Sequence, residues 1–235
     1  LRVVAVRTPG FSGADLENLL NEAAILAARS SRKVIGQTHI LSSIEKVMLG
    51  PERRGRMISV HEKEITAYHE AGHALAAAAT KGADPVHKVS IVSRGLAGGY
   101  TLKLPIEERR IHTKSQFLAE LVVAYGGYAA EEIVFGDIST GSANDIRQAT
   151  TLTRELITRY GMSERLGPRT FGRIHELVFL GRDIATEKDY SEKVGALIDG
   201  EVERLVKKAL GYAKKIITTY REVLDAIAKA LIERE

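Results

Sequence analysis

With 235 residues, 44% apolar and 27% charged, the chain is long enough to bury a sizeable core, as one large domain or one and a half ordinary ones. The net charge of +4 is mild, and no Lys/Arg block interleaved with aromatics occurs, which argues against a nucleic-acid partner. The chain has no cysteine, so disulfides and thiolate metal sites are excluded and any metal must be held by His, Asp or Glu.

Taken in chain order, the sequence predicts a mainly α fold with a small β-hairpin. The opening LRVVAVRTPGF has neither the apolar core nor the cleavage site of a signal peptide and reads as the middle of a longer protein. No apolar run reaches the ~18 residues needed to span a bilayer. Thr8-Pro9-Gly10 predicts a turn. Ser12 with Asp15 three residues later marks a helix start, and Leu16, Leu19, Leu20, Ala23, Ala24 and Ala27 carry that helix to about Ser30. A second helix runs from Thr38 through Ile40, Leu41, Ile44 and Val47. The Gly/Pro-bounded basic stretch from Gly50 to Arg56 predicts a linker over 51–60, separating a helical unit at 1–50 from a larger one at 61–235.

In the larger unit a helix is expected over His61–Thr80, stopped by Lys81-Gly82. The β-branched run from Val86 to Leu104, broken by glycines, predicts a hairpin. Helices return at Ser115–Phe135, Ser142–Tyr160, Thr186–Leu210 and Tyr212–Glu235, the last two as antiparallel neighbours across a short break. Arg165–Arg182, which contains His175, reads as a solvated loop.

Tyr68-His69-Glu70-Ala71-Gly72-His73-Ala74 carries the chemistry. Residues four apart on an α-helix are ~40° apart around the axis, so His69 and His73 project from one face and can grip one Zn²⁺. Glu70 points ~100° away, where it can take the proton of a water that the metal acidifies and return it to a leaving amine. That combination suits amide hydrolysis. Ala76 and Ala79 stand where the extended metzincin motif has Gly and His, so that class is excluded. A catalytic zinc needs a third protein ligand. Glu131 or Glu132 in GGYAAEEIVFG and Asp145 in STGSANDIRQAT are equal candidates on residues alone, since Asp145 could instead complement a helix start capped by Ser142.

RTPGFSGADLENLLNEAAILAAR, TAYHEAGHALAA, VSIVSRGLAGGYT, GGYAAEEIVFGDISTGSANDI and YGMSERLGP occur in order along nearly the whole chain. In these stretches the sequence resembles the C-terminal part of the FtsH family of membrane-anchored, ATP-dependent AAA+ zinc metalloproteases. The resemblance implies that His69, His73 and Asp145 bind zinc and that Glu70 is the base, leaving Glu131 and Glu132 to orient an imidazole or to serve structure. It implies that 1–50 is the helical lid of an AAA+ module, that 61–235 is the protease domain, and that Gly13 and Ala14 approach ATP/Mg²⁺ in the full-length protein. The phosphate-cradling loop and Mg²⁺ ligands are absent from this chain, which marks it as a fragment. The resemblance further implies unfolded or membrane-extracted polypeptides as substrates, a homohexamer, and anchorage at the cytoplasmic face of a bacterial inner membrane. The resemblance also suggests that the edge of Val89–Val92 adds substrate as a further strand, the equal alternative being a purely structural hairpin. One departure is Tyr128, where the family commonly has Arg. The competing expectation is a zinc-stabilised helical assembly module without catalysis, closed by His175 or Glu131 as a fourth ligand.

Overall fold

The computed structural model describes residues 2–8, 10–51, 59–94, 98–103, 111–174, 186–187 and 189–235. Most of the expected linker, the end of the hairpin at Leu104 and His175 lie outside them. The fold is mainly α with small antiparallel β pairs. A short helix not foreseen from sequence, α1 (Arg2–Arg7), precedes α2 (Gly13–Arg29) and α3 (Gln37–Leu49). At the start of α2 the Ser12 hydroxyl accepts from the Asp15 N–H, while the Asp15 carboxylate accepts from the Ser12 N–H at 2.8 Å, the expected capping box. Leu19, Ala23 and Ala27 of α2 and Ile44 of α3 are buried where the two helices pack together.

The larger unit is organised around α4 (Val60–Ala79), capped by Ser59. Every residue from His69 to Ala77 is buried. A helix buried all round lies at the middle of a bundle. Four helices pack on it: α5 (Lys114–Ala124), α6 (Gly126–Phe135), α8 (Glu192–Thr219) and α9 (Arg221–Arg234). The shared core is rich in alanine: Ala67, Ala71, Ala129, Ala130, Ala213 and Ala228, filled out by Leu121, Ile217 and Leu224. Small side chains let helix axes approach closely. Helix α7 (Ala143–Thr158) follows a single 3-10 turn at Thr140–Ser142 and packs on α5 and α8, where Leu156, Ile157, Phe171, Ile198 and Leu205 form a second core.

The hairpin is present. β1 (Val86–Ser90) pairs antiparallel with β2 (Tyr100–Lys103), with Ser90 opposite Tyr100 and Val89 opposite Thr101, and both strands contact α4.

Three helix expectations need correction. The single helix expected at Ser115–Phe135 is two, broken at Tyr125 between α5 and α6. The reason lies across the core: a Cβ on Gly72 would fall 2.3 Å from the Gly126 carbonyl oxygen, so α6 crosses α4 backbone to backbone and has its own direction. The helix expected from Thr186 begins only at Glu192, because Thr186–Glu187 form β4, paired with β3 (Arg173–Ile174). The last break falls at Tyr220, not near Gly211. Gly211 sits inside α8, with nothing within 4 Å of where its Cβ would be. Helix α9 then lies along α4 rather than back along α8, with the Lys63 ammonium donating to the Ile232 carbonyl at 3.0 Å.

Gly72→Ala forces a methyl into backbone and should destabilise the fold by about 3 kcal/mol. Gly211→Ala meets open space and should stabilise by about 0.5–1 kcal/mol through helix propensity. Urea denaturation of the two variants checks both; equal midpoints would refute the close crossing of α4 and α6.

Candidate metal centre

Helix geometry does for the histidines what their spacing predicts. His69 and His73 project from α4 into one cleft, and Asp145 reaches the same point from the first turn of α7. The two Nε2 atoms are 3.0 Å apart, and Asp145 Oδ2 lies 3.1 Å from His69 Nε2 and 3.4 Å from His73 Nε2. The opposite ring nitrogens are both committed as donors. His69 Nδ1 donates to Glu131 Oε1 at 2.6 Å, and His73 Nδ1 donates to the Val123 carbonyl at 2.8 Å. Each neutral ring therefore carries its lone pair on Nε2, aimed at the other ring and at a carboxylate. Three electron-rich atoms converge, and only a cation between them satisfies all three. Ligands held ~2.0–2.1 Å from a tetrahedral zinc lie about 3.3 Å apart, which the observed 3.0–3.4 Å spacing fits. Among the described residues, His69, His73 and Asp145 are the one such His/Asp/Glu group.

The acids left open by sequence separate clearly. Glu131, 1% exposed, stands behind His69 and not among the converging atoms. Its Oε1 also accepts from the Ser142 hydroxyl at 3.2 Å, and its Oε2 accepts from the Ser139 N–H at 2.5 Å. Glu132 faces away and takes the Lys214 ammonium at 2.8 Å. Ser142 stands at the N-cap of α7 and Asp145 in its first turn, but the Ser142 hydroxyl donates to Glu131 and makes no capping bond, while Asp145 turns its carboxylate to the two rings.

Charge follows the geometry. Burial opposes ionisation of Asp145, but its contacts with His69 and His73 hold its carboxyl far below the usual carboxylate range. Burial also works against a charged His69, yet Asp145, Glu131 and Glu70 outweigh it and raise the metal-free ring to about 10. The centre attracts positive charge, and without metal a proton supplies it.

Glu70 is 6% exposed, and burial pushes its carboxyl above the usual range, with His73 and His69 pulling the other way. Its Oε2 accepts from the Thr101 hydroxyl at 2.7 Å. Sequence reading missed Thr101, and it missed two glycines. A Cβ on Gly127 would lie 2.5 Å from the His69 ring, and one on Gly99 3.0 Å from Glu70 Cγ. The Gly-Gly pair inside a helical stretch was the available signal.

The centre lies in a cleft of about 1250 Å³, whose wall includes Thr66, Gly99, Thr101, Lys103, Arg147 and Gln148. The strand on that wall is β2. Val89–Val92 is not on it, and the Glu235 carboxylate accepts from the Ile91 N–H at 2.6 Å and the Val92 N–H at 3.2 Å. Gly13 and Ala14 are exposed at the start of α2, away from this cleft, beside the Asp15 carboxylate. Tyr128 packs edge-on against Tyr125, their ring centroids 6.4 Å apart.

The family model described as Peptidase family M41 matches residues 56–235. The chain belongs to peptidase family M41. A second family model, the AAA+ lid domain, matches residues 1–42 of this M41 chain. Curated relatives include the ATP-dependent zinc metalloprotease FtsH 1 of Thermomicrobium roseum, 57% identical over 235 residues, and its namesake in Sphaerobacter thermophilus, 54% identical over 235 residues; each match covers 100% of this chain and 36% of the relative. The ATP-dependent zinc metalloprotease FtsH of Veillonella parvula is 48% identical over 235 residues, 100% of this chain and 37% of the relative. The M41 chain thus spans about a third of the length of the curated relatives it matches.

Cation and proton compete for His69. Because the metal-free ring holds its proton to about 10, zinc must displace it, and affinity should rise about tenfold per unit between pH 6 and 8. A chelator-competition titration checks this; a flat profile would refute His69 as a ligand. The raised pKa also implies that His69 stabilises the metal-free fold fully below its ordinary 6.5 and that this contribution is lost as pH climbs towards about 10.

Proposed function

We propose that residues 61–235 form a zinc endopeptidase domain and residues 1–50 the lid of an AAA+ module, joined by a linker at 51–60. His69, His73 and Asp145 hold the zinc, and Glu70 is the general base. The observation that carries this reading is the convergence of two Nε2 lone pairs and one carboxylate oxygen on a point beside Glu70, inside a cleft of about 1250 Å³. Zinc bound there supplies a Lewis acid that polarises a peptide carbonyl and acidifies water. The chain's own groups do the rest. Glu131 and the Val123 carbonyl fix the ring orientations and the tautomers. Glu70, its pKa raised by burial above the usual carboxylate range, accepts the proton of the attacking water and delivers it to the leaving amine. Thr101 holds one Glu70 oxygen and leaves the other for that proton.

The non-catalytic alternative requires a fourth protein ligand. No fourth His, Asp or Glu joins the group among the described residues, and both Glu131 oxygens are engaged elsewhere. The M41 match and the names of the relatives favour proteolysis.

In the full-length protein we infer that ATP-driven unfolding delivers unfolded or membrane-extracted polypeptides to this cleft, within a hexamer anchored at the cytoplasmic face of a bacterial inner membrane. The relatives' printed name, ATP-dependent zinc metalloprotease, supports the coupling. Gly13 and Ala14 approach nucleotide in this reading. No helix among the described residues is long and apolar enough to cross a membrane.

Metal content and casein cleavage test the assignments together. Glu70→Gln should keep its zinc and lose about 10²–10⁴-fold in rate. Asp145→Ala should lose both zinc and activity. Glu131→Ala should weaken zinc about 10–100-fold. Full cleavage by Glu70→Gln, or full zinc in Asp145→Ala, would refute the corresponding role.

A further inference from the structure

A two-stranded hairpin alone is marginally stable, so β1 and β2 depend on outside groups for their position. One such group comes from the N-terminal helices. Glu45, on α3, places a single oxygen, Oε2, at the meeting point of three hairpin donors. Lys88 Nζ of β1 approaches it at 2.7 Å, Arg94 Nη2 at 3.3 Å, and the Tyr100 hydroxyl of β2 at 3.3 Å. The Arg94 side chain is 6% exposed; its Nη1 donates to the Gly50 carbonyl at the end of α3, and its guanidinium lies 5.6 Å from the Tyr100 ring centroid. α3 thus grips both strands at the end where Ser90 pairs with Tyr100.

Tyr100 is bonded to Thr101, and Thr101 donates to Glu70. We propose that Glu45 is a positioning residue for the Glu70 base: it pins β2, and β2 sets the hydroxyl that aims the Glu70 carboxylate. The inference rests on Glu70 being the base. It gives the N-terminal helices a mechanical hold on the chemistry through β2, from outside the cleft that holds the metal centre. Neutralising Glu45 removes the negative charge that Lys88, Arg94 and the Tyr100 hydroxyl share, so β2 loses that anchor while the core around α4 is untouched.

Glue between two units and positioning of a base predict different results. The test uses the zinc-loaded protein and an unfolded casein substrate, with Glu45→Gln, Thr101→Val, the double variant, and Tyr100→Phe as a milder change that keeps the ring. Glu45→Gln and Thr101→Val should each lower kcat about tenfold with KM changed less than about twofold and zinc content unchanged, because base orientation acts on the transition state. The double variant should be no slower than Thr101→Val alone, since both losses pass through one hydroxyl. Tyr100→Phe should lose less, in the same direction. Amide hydrogen exchange over Tyr100–Lys103 should speed up in Glu45→Gln. Wild-type kcat in Glu45→Gln, multiplied losses in the double variant, or a loss that tracks missing zinc would each overturn the proposal. A Glu70→Gln reference separates the two failures: if it cleaves normally, the base assignment itself falls.

Discussion

Backbone meets backbone where α4 crosses α6, and the metal centre depends on that contact. Gly72 and Gly126 have no side chains to hold the helices apart, and a Cβ on either would collide with the other's carbonyl. With the axes this close, the residues following Gly126 fall under the residues flanking Gly72. Gly127 clears the His69 ring, and Glu131, one turn further, arrives within 2.6 Å of His69 Nδ1. The alanines of α4 and α6 extend the same close approach along the core. A larger residue at the crossing would push Glu131 away from the ring it orients. The smallest side chains in the domain therefore set the geometry of its most strongly charged point.

That charge has a second consequence. Glu70, Glu131 and Asp145 surround two imidazoles in a largely dry setting, an arrangement that needs positive charge to be tolerable. In the metal-free chain a proton on His69 meets the need. A divalent ion meets it better, because it faces both Nε2 atoms and Asp145 at once. Metal binding and fold stability are linked through these contacts, since an unfolded chain cannot bring residues 76 positions apart in sequence to one ion.

What the sequence disclosed and what it hid divide along the range of the interactions. The capping box at Ser12 and Asp15, the His-Glu-x-x-His face of α4 and the hairpin are local, and local spacing identifies them. Gly211 and Gly126 show the limit. Both are helical glycines, and sequence treated the first as a break and the second as helix interior. In the structure Gly211 lies inside α8 and Gly126 opens α6 just after the break at Tyr125, because one faces open space and the other a neighbouring backbone. The break at Tyr220 has no glycine or proline to announce it; burial of Leu224 and Ala228 against the core draws α9 onto α4. The third candidate ligand was not legible from spacing either. Asp145 and Glu131 both stand on later helices; the crossing of α4 and α6 puts Glu131 behind the His69 ring, and the first turn of α7 brings Asp145 to its front.

The hairpin joins these parts. β2 forms a wall of the cleft, and Thr101 on it touches the backbone carbonyl of Glu70 at 3.2 Å as well as its carboxylate. At one end Glu45 gathers Lys88, Arg94 and Tyr100. From α9, the Glu235 carboxylate accepts from the Ser90 hydroxyl and from the Ile91 and Val92 N–H groups. Two carboxylates from opposite ends of the chain thus hold a two-stranded element that has little stability of its own. Both anchors act at the end of the hairpin where Ser90 pairs with Tyr100, and neither lies in the cleft. Among the described residues no third strand extends this sheet, so its position is held by side chains reaching in from α3 and from the end of α9.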